Sequence, residues 1–304
     1  MPGAVVNKLM NAFTIKDLEN LSGVKAHTIR MWEQRYSFLK PQRTATNIRY
    51  YSCEELKSIL NIALLNKYGF KISHIDRMCQ KEMSEKLISL SHGQARQERI
   101  LNELLHYMVD LDMYLFEKLL NEQVEMRGID KTITQVIFPL LDKLGILWLT
   151  NNINPAQEHL VSNIIRQKII AGIEAIEPDI SPRTPQKTIL LFLPEGEHHE
   201  LGLLYAHYLL KNRGVLVLYL GANVPAKDVE FVCALKNPDY LYTHLTCIAD
   251  NFELAKFLTV TAKAAPASQL IISGNLVQSY NRRIPANVQL KKSLPQVMEF
   301  INAI

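Results

Sequence analysis

Eight residues, 195–202, carry the side chains of this sequence that are best suited to chemistry at one place. They follow a short apolar run and precede a helical pattern, so they are predicted to form a strand-to-helix loop, where open α/β sheets hold ligands. The carboxylate of Glu197 could fix one ring nitrogen of His199 and leave the other for a metal ion. Gly202 lets a bulky group approach the start of the helix. A solvated polar loop is the alternative, and so short a pattern does not exclude it.

The segment 188–304 supplies the elements that must position this loop. Apolar runs that read as strands alternate with helical patterns, which predicts a parallel, Rossmann-like sheet. The run 215–220 in particular is expected to be a buried strand. Ligands of such sheets bind at the carboxyl ends of the strands, where His199, Thr243 and Ser273 are all expected.

Three pieces of this segment resemble the cobalamin-binding domain of methyltransferases, mutases and cobalamin-dependent regulators. That family carries Asp-x-His-x-x-Gly, then Ser-x-Leu, then Gly-Gly, at spacings that match this sequence. The corresponding pieces are Glu197-x-His199-x-x-Gly202, Thr243-His244-Leu245 and Ser273-Gly274. The resemblance implies that His199 is the lower axial cobalt ligand and that Glu197 orients it. It also implies that the slot for the nucleotide tail is lined by Thr243, Leu245, Ser273 and Gly274.

The middle of the chain, 98–177, shows helical periodicity with short connections, which predicts an antiparallel four-helix bundle. Polar stretches at 81–97 and 178–187 are predicted to be linkers on either side of it. Asn154 and Pro155 have the residue types of an N-cap and a first helical position, so the fourth helix is expected to begin there.

Trp148, followed at a fixed distance by Glu158 and His159, resembles the cap bundle of CarH-type photoreceptors. That bundle covers the upper face of adenosylcobalamin, with the tryptophan beside the adenosyl group and the Glu-His pair close to the ligand. One position departs from the pattern. Leu149 stands where those proteins have the histidine that binds cobalt from above after illumination, and leucine cannot ligate. His159 is the nearest substitute.

The first third of the chain predicts a winged helix-turn-helix. Thr14 has the residue type of an N-cap for the first helix, Ser22 and Gly23 form the turn, and 24–36 reads as the second helix. Residues 41–51 are polar, basic and aromatic, as expected of a hairpin-like wing. Potential hydrogen-bond donors to bases and phosphates on the second helix are Lys25, His27, Thr28, Arg30 and Arg35.

The stretches 28–36, 39–44 and 47–51 resemble the signature pieces of the DNA-binding domain of MerR-type regulators, and the match extends over about 12–80. The resemblance implies that double-stranded operator DNA is the partner, with Arg30 and Arg35 facing it from the recognition helix. Wing contacts are implied for Arg43, Arg49 and Tyr50. Trp32 is expected to be a core residue. Metal-sensing members use a long dimerising helix and a cysteine loop, and this sequence has neither.

The charge distribution agrees with a DNA-binding first third. Residues 1–96 hold 15 Lys and Arg against 8 Asp and Glu, a net charge of +7, whereas the remaining residues carry −3. Segregation of that kind suggests that the basic part meets a polyanion.

The composition is that of a cytoplasmic protein of two or three domains. The chain has 304 residues, of which 48% are hydrophobic, with no apolar run of membrane-span length and no signal-peptide pattern at its start. Its four cysteines are scattered, which argues against a zinc site or a disulfide framework. No membrane partner is expected.

Together these features predict a multi-domain α plus α/β protein: domains at 1–80, 98–177 and 188–304 with the two linkers between them. The expected function is a transcriptional repressor controlled by cobalamin. Adenosylcobalamin is the expected form, with light acting through Co–C photolysis and a change of oligomeric state (dimer or tetramer). The alternative is the same architecture with a degenerate pocket that answers to a protein partner or another ligand. An enzyme is not expected, because 304 residues leave no room for a catalytic barrel.

Overall fold

The computed structural model describes residues 12–44, 46–90, 93–149, 153–177, 187–247 and 252–304. The chain divides into two compact units, 1–164 and 165–304, which are considered separately below. Apart from Lys187, the predicted second linker lies outside the described residues.

The first unit begins with the predicted winged helix-turn-helix. Its elements are α1 (Ile15–Ser22), α2 (Ala26–Arg35), β1 (Gln42–Arg43), β2 (Arg49–Tyr50), α3 (Cys53–Lys67) and α4 (Ile72–Ile75). Helix α1 starts at a reciprocal capping box between Thr14 and Asp17, which confirms the predicted N-cap. It ends at Gly23, whose φ of +74° is the left-handed conformation that glycine adopts without steric cost. The chain therefore turns where the sequence placed the turn.

The wing is a two-stranded antiparallel ribbon in which Gln42 lies opposite Tyr50 and Arg43 lies opposite Arg49. A backbone bridge between Phe13 and Tyr51 connects the start of the domain to the end of the ribbon. Both of these side chains are fully buried, and Trp32 is only 8% exposed, which confirms its assignment to the core.

The structure corrects the secondary structure expected over 81–97. Most of this stretch is helical, in α5 (Gln80–Ser89) and in the first turn of α6 (Gly93–Val109). Cys79 caps α5 by accepting a hydrogen bond from the amide of Glu82, and Leu87 is buried. Of the polar residues that suggested a linker, Ser84 and Ser89 occupy exposed positions of α5, while Met83 and Leu87 share one face at helical spacing.

The predicted bundle helices follow. They are α6, α7 (Met113–Arg127), α8 (Ile129–Thr132), a π-helical turn (Ile133–Ile137), α9 (Phe138–Leu149) and α10 (Pro155–Glu174). The third predicted helix is thus one helical segment with a π turn in its middle. Asn154 accepts a hydrogen bond from the amide of Ala156, as expected of the N-cap. The side-chain amide of Gln157 donates to the carbonyls of Met108 and Val109, which ties the start of α10 to the end of α6.

The second unit contains the predicted parallel sheet. Its elements are β3 (Thr188–Pro194), α11 (Leu201–Lys211), β4 (Leu216–Val224), α12 (Ala226–Lys236), β5 (Tyr240–His244), α13 (Leu254–Ala264), β6 (Gln269–Ser273), α14 (Asn275–Gln278), β7 (Val288–Lys291) and α15 (Leu294–Ala303). The five strands are all parallel, in the order β4-β3-β5-β6-β7. β4 is an edge strand and mostly half-buried, with Leu216 49% exposed, so the expectation of a buried strand is wrong there.

The strand order places the loop after β3 at a distinctive point. From β3 the chain moves to one side of the sheet to form β4, and then to the other side to form β5. The loops that follow β3 and β5 therefore diverge at the topological switch point, the crevice where open α/β sheets bind ligands. Residues 195–200 lie in that position.

Of the helices that the structure describes, none combines the length and the apolar character needed to span a membrane.

Candidate functional site

The carboxylate of Glu197 is the centre of the loop after β3. The side chain is fully buried, and each of its oxygens accepts two hydrogen bonds. Oε1 accepts from the backbone amide of His199 at 2.9 Å and lies 2.7 Å from Nδ1 of the same residue. Oε2 accepts from the amides of Thr246 at 2.8 Å and Cys247 at 2.9 Å. The loop after β5 therefore holds the carboxylate, and the carboxylate holds His199.

The charge state of Glu197 follows from these contacts. Burial disfavours the carboxylate and by itself would raise its pKa, but the hydrogen bonds from the His199 side chain and from the three backbone amides outweigh it. The net result is that the pKa of Glu197 falls to about 2. Glu197 is an anion at any physiological pH, which suits a group that orients an imidazole.

The local backbone fixes where Glu197 and His199 stand. The amide of Gly196 donates to Oδ1 of Asn223 at 2.9 Å, and the amide of Asn223 donates to the Glu197 carbonyl at 3.1 Å. The loop is thereby attached to the end of β4. The imidazole of His199, engaged through Nδ1, remains 55% exposed. A buried carboxylate below an accessible histidine is the arrangement that the sequence predicted for a metal ligand and the residue that orients it.

A second cluster of polar side chains, which was not predicted from the sequence, lies around the start of α11. Oε1 of Glu200 accepts from the Tyr219 hydroxyl at 2.7 Å, and its Oε2 lies 2.8 Å from Arg166. Burial, together with the Glu200 carboxylate, raises the pKa of Tyr219. Glu200 belongs to the predicted loop, but its partners lie on α10 and β4, so sequence spacing could not reveal them.

Gly202, at the first turn of α11, faces His244 rather than open space. A Cβ built at Gly202 would lie 2.5 Å from Cδ2 and 2.6 Å from Nε2 of the His244 imidazole. The same ring places its Nδ1 2.8 Å from the hydroxyl of Ser273. The structure therefore brings Gly202 and Ser273 together, as predicted, but through a histidine that the prediction did not assign.

Thr243 and Leu245 are placed differently from His244 with respect to Gly202 and Ser273. Side chains alternate along a strand, and His244 is the residue of β5 whose ring lies beside Gly202. Thr243 is fully buried, and its hydroxyl has no hydrogen-bond partner among the described residues. Leu245 contributes its backbone to the contact with Gly274. Gly274 has a φ of +103°, and a Cβ added there would lie 2.2 Å from the Leu245 carbonyl oxygen. Glycine at 274 allows the loops after β5 and β6 to touch.

The predicted cap residues lie in the first unit. The backbone of Trp148 and Leu149 ends α9, but their side chains are outside the described part of the structure. Glu158 and His159 are adjacent on the first turns of α10, with Oε2 of Glu158 3.1 Å from Nδ1 of His159. The His159 side chain is 71% exposed. This pair therefore presents an accessible imidazole with a carboxylate beside it.

The predicted DNA-contacting side chains on the recognition helix are exposed. Arg30 and Arg35 point into solvent from α2, and neither has an ion pair among the described residues. His27 is exposed and Thr28 half-buried on the same helix. Lys25 precedes α2, is 73% exposed and lies 3.5 Å from Glu19. Arg30 and Arg35 thus offer positive charge that no described carboxylate compensates, which is what contact with phosphates requires.

The predicted wing residues fall into two groups. Arg43 is exposed and donates to the side chain of Asn47 at 2.7 Å, near the tip of the ribbon. Tyr50 is half-buried and donates to Gln42 at 2.6 Å. Arg49 is turned inward: its Nε donates to Oε2 of Glu33 at 3.1 Å, and Glu33 is almost fully buried.

Glu33 binds the wing to the recognition helix. It lies on α2, accepts from Arg49 through one oxygen, and accepts from the hydroxyl of the buried Tyr51 through the other. Burial raises the pKa of Tyr51, and the nearby Glu33 carboxylate raises it further. Glu33 was missed from the sequence because its partners are distant in the chain, and they became neighbours only when the ribbon folded onto α2.

Comparison with known families agrees with this arrangement. Residues 13–82 match the model of the MerR HTH family regulatory protein, and residues 100–171 match the model of a B12 binding domain. The first match coincides with the winged helix-turn-helix, and the second covers most of α6 to α10. The chain therefore combines a MerR-type helix-turn-helix domain with a B12-binding domain.

Two particular proteins of Myxococcus xanthus are similar over most of the chain. The HTH-type transcriptional repressor CarA is 27% identical over 262 residues, covering 86% of this chain and 85% of CarA. The HTH-type transcriptional repressor CarH is 28% identical over 254 residues, covering 79% of this chain and 82% of CarH. The monomethylamine corrinoid protein of Methanosarcina barkeri matches in structure, with a TM-score of 0.53 and 12% identity. It covers 68% of this chain and 100% of that one, which shows a shared fold.

Proposed function

We propose that this protein is a transcriptional repressor whose binding to operator DNA is controlled by a cobalamin held on His199. Adenosylcobalamin is the proposed form, and light is the proposed signal. The observation that carries the proposal is the way Glu197 holds His199. The Glu197 carboxylate is fully buried and accepts two hydrogen bonds from the histidine and two from the loop after β5. A solvated polar loop does not bury a carboxylate in this way.

The donor set fits the cofactor. Cobalt in a corrin takes its lower ligand from a neutral nitrogen, and an imidazole whose Nδ1 is engaged by a carboxylate has Nε2 as its ligating atom. Glu197 would hold the ring in one orientation and increase its basicity. The loop lies at the switch point of the sheet, where the fold leaves a crevice for a large ligand. When bound, cobalamin supplies a light-sensitive Co–C bond, and the protein supplies the pocket and the linkage.

The proposal that the protein binds operator DNA as a repressor depends on the first unit. Its recognition helix presents Arg30 and Arg35 without ion-pair partners in the part of the chain that the structure describes, and the wing presents Arg43 at its tip. The similarity to CarA and CarH, both named as transcriptional repressors, supports repression rather than activation. Trp148, Glu158 and His159 are proposed to cover the upper face of the cofactor, which would connect its state to the bundle.

The proposal is tested by visible spectroscopy of the purified full-length chain with adenosylcobalamin, in the dark and after illumination. Wild-type protein should bind the cofactor with a nitrogen ligand below cobalt, and light should change both the spectrum and the affinity for operator DNA. His199→Ala should lose the nitrogen ligand that the protein supplies, which weakens binding or leaves the cobalt with the cofactor's own base or with water. His198→Ala is the matched control, because His198 is an exposed histidine of the same loop that is not assigned to the cofactor.

An identical dark spectrum and an identical affinity for wild type and His199→Ala would rule out this site. The alternative function would then be favoured, in which a protein of the same architecture has lost cobalamin binding and responds to a protein partner. The position of His244 favours that alternative, since its ring already fills the space beside Gly202.

A further inference from the structure

His244 fills the space that the absence of a side chain at Gly202 creates. Three atoms of its ring would lie between 2.5 and 2.9 Å from a Cβ at that position. Non-bonded carbon atoms do not approach so closely, so only glycine fits at 202 while His244 holds this position. In this structure, glycine at 202 makes room for a side chain of the protein itself.

Hydrogen bonds hold the ring in place. Nδ1 of His244 lies 2.8 Å from Oγ of Ser273, and that hydroxyl lies 2.7 Å from Oη of Tyr242, whose side chain is almost fully buried. Residues 244 and 273 are also direct neighbours across β5 and β6. Burial lowers the pKa of His244 to about 4, so its ring is neutral near neutral pH and can accept or donate in this chain of three groups.

We propose that His244 is a displaceable plug in the slot for the nucleotide tail and thereby determines which corrinoids bind. The inference rests on the proposed function and on the family resemblance, in which Ser273 lines that slot and Gly202 leaves room for a bulky group. The His244 ring contacts both residues, so the ring and a nucleotide tail compete for one space. A corrinoid with a tail has to move the imidazole and break its hydrogen bond to Ser273. A corrinoid without a tail meets no such obstacle.

This assignment places a side chain from the unspecified middle position of the Ser-x-Leu pattern beside Gly202 and Ser273. His244, rather than Thr243, has its side chain in the group formed with Gly202 and Ser273. The chain thus has a bulky ring at a position that the pattern leaves open.

The test compares cobalamin with cobinamide, a corrinoid that lacks the nucleotide tail, in absorbance titrations of the full-length protein. His244→Ala should lower the Kd for cobalamin about tenfold, the equivalent of one hydrogen bond that no longer has to be broken. The Kd for cobinamide should stay unchanged. His244→Phe is the matched control: it loses the hydrogen bond but keeps a ring that still has to move, so its gain for cobalamin should be smaller than that of His244→Ala.

Ser273→Ala is a second variant in case His244→Ala does not fold, which circular dichroism would reveal. It releases the ring without removing it and should give a smaller gain for cobalamin alone. Weaker cobalamin binding by His244→Ala, with cobinamide unchanged, would overturn the plug and make His244 a contact to the tail. An equal change for both corrinoids, or no change for either, would overturn it as well. Failure of wild type to bind even cobinamide would instead contradict the proposed function.

Discussion

At the scale of single residues, the central feature is one carboxylate that serves two loops. Glu197 accepts hydrogen bonds from His199, two residues away, and from Thr246 and Cys247, about fifty residues away. The buried charge is tolerated because each oxygen has two donors. The orientation of His199 is therefore coupled to the packing of the loop after β5, and changes at either place should be felt at the other.

Glu197 should also contribute to stability in a pH-dependent way. Its pKa is depressed in the folded state, from an ordinary 4.5 to about 2, so its contribution is fully present above pH 4.5 and is lost as the pH falls through 2. A shift of that size corresponds to roughly 3 kcal/mol at neutral pH. Glu197→Gln should lower the free energy of unfolding at pH 6 by an amount of this order, and the deficit should shrink toward pH 3.

Urea unfolding at both pH values checks this prediction. Glu195→Gln is the control, since Glu195 is an exposed carboxylate of the same loop. A deficit for Glu197→Gln that is equal at the two pH values, or matched by Glu195→Gln, would mean that the hydrogen bonds do not stabilise the ionised form.

Arg30 gives a second prediction at this scale. It is exposed on the recognition helix and has no ion pair among the described residues, so its charge is available to a phosphate. Arg30→Ala should weaken operator binding and lower the salt slope by about one unit, as expected for one lost phosphate contact. Gel shifts over a range of salt concentrations measure both quantities. Arg282→Ala, an exposed arginine of the second unit, should alter neither.

At the scale of elements, the wing and the recognition helix are joined by Glu33. Its carboxylate accepts from Arg49 of β2 and from Tyr51 just beyond it, so the ribbon is held at a fixed position against α2. This contact changes the role that we expect for Arg49 in DNA binding. The side chain was predicted to contact DNA, whereas in the structure it is half-buried and directed toward Glu33. We expect Arg49 to act on DNA binding by positioning the wing.

Glu33→Gln should therefore weaken operator binding although it removes no positive charge. The loss of one partner of a largely buried, charge-assisted pair costs roughly 1–3 kcal/mol, part of which should appear as greater mobility of the wing. The salt slope of binding should be unchanged, because no phosphate contact is lost. Tyr51→Phe, which removes the other hydrogen bond, should give a smaller effect of the same kind.

Salt-dependent gel shifts, combined with limited proteolysis of 41–51, separate the two roles. A reduced salt slope for Arg49→Ala would show a direct phosphate contact. An unchanged slope with faster cleavage of the wing would support positioning. Full operator affinity for Glu33→Gln would be incompatible with a wing held by this carboxylate.

At the scale of the whole molecule, the two units must communicate if cobalamin is to control DNA binding. Helix-turn-helix dimers bind the two half-sites of a two-fold operator, so we expect at least two copies of the chain to come together on the proposed operator. The proposed effector would favour an oligomer if the oligomer held it more tightly than the monomer does, which is ordinary linkage. The expected states are a dimer or a tetramer.

Size-exclusion chromatography with light scattering tests this linkage. The protein with adenosylcobalamin in the dark should elute as a larger species than the protein without it, and illumination should reverse the change. His199→Ala should show the small species under all conditions, because it lacks the proposed cobalt ligand. Profiles that do not depend on cofactor or light would remove the oligomeric switch from the proposed function.

Features set by neighbouring residues followed from the sequence alone. The capping residues Thr14 and Asn154 and the turn at Gly23 depend on bonds and dihedral angles within a few residues, so the local pattern determines them. The parallel sheet followed from alternating strands and helices. The pairing of Glu197 with His199 followed from their spacing of two, because a carboxylate two residues before a histidine can reach its ring.

The tertiary structure decided what depends on register and on distant partners. Thr246 and Cys247 support Glu197 only because β3 and β5 are adjacent strands. A shift of one residue along a strand moves a side chain to the opposite face, so only the observed register shows that His244, and not Thr243, lies beside Gly202. Arg49 turns to Glu33 because the folded ribbon brings a buried carboxylate within reach, and an unpaired buried charge would be costly.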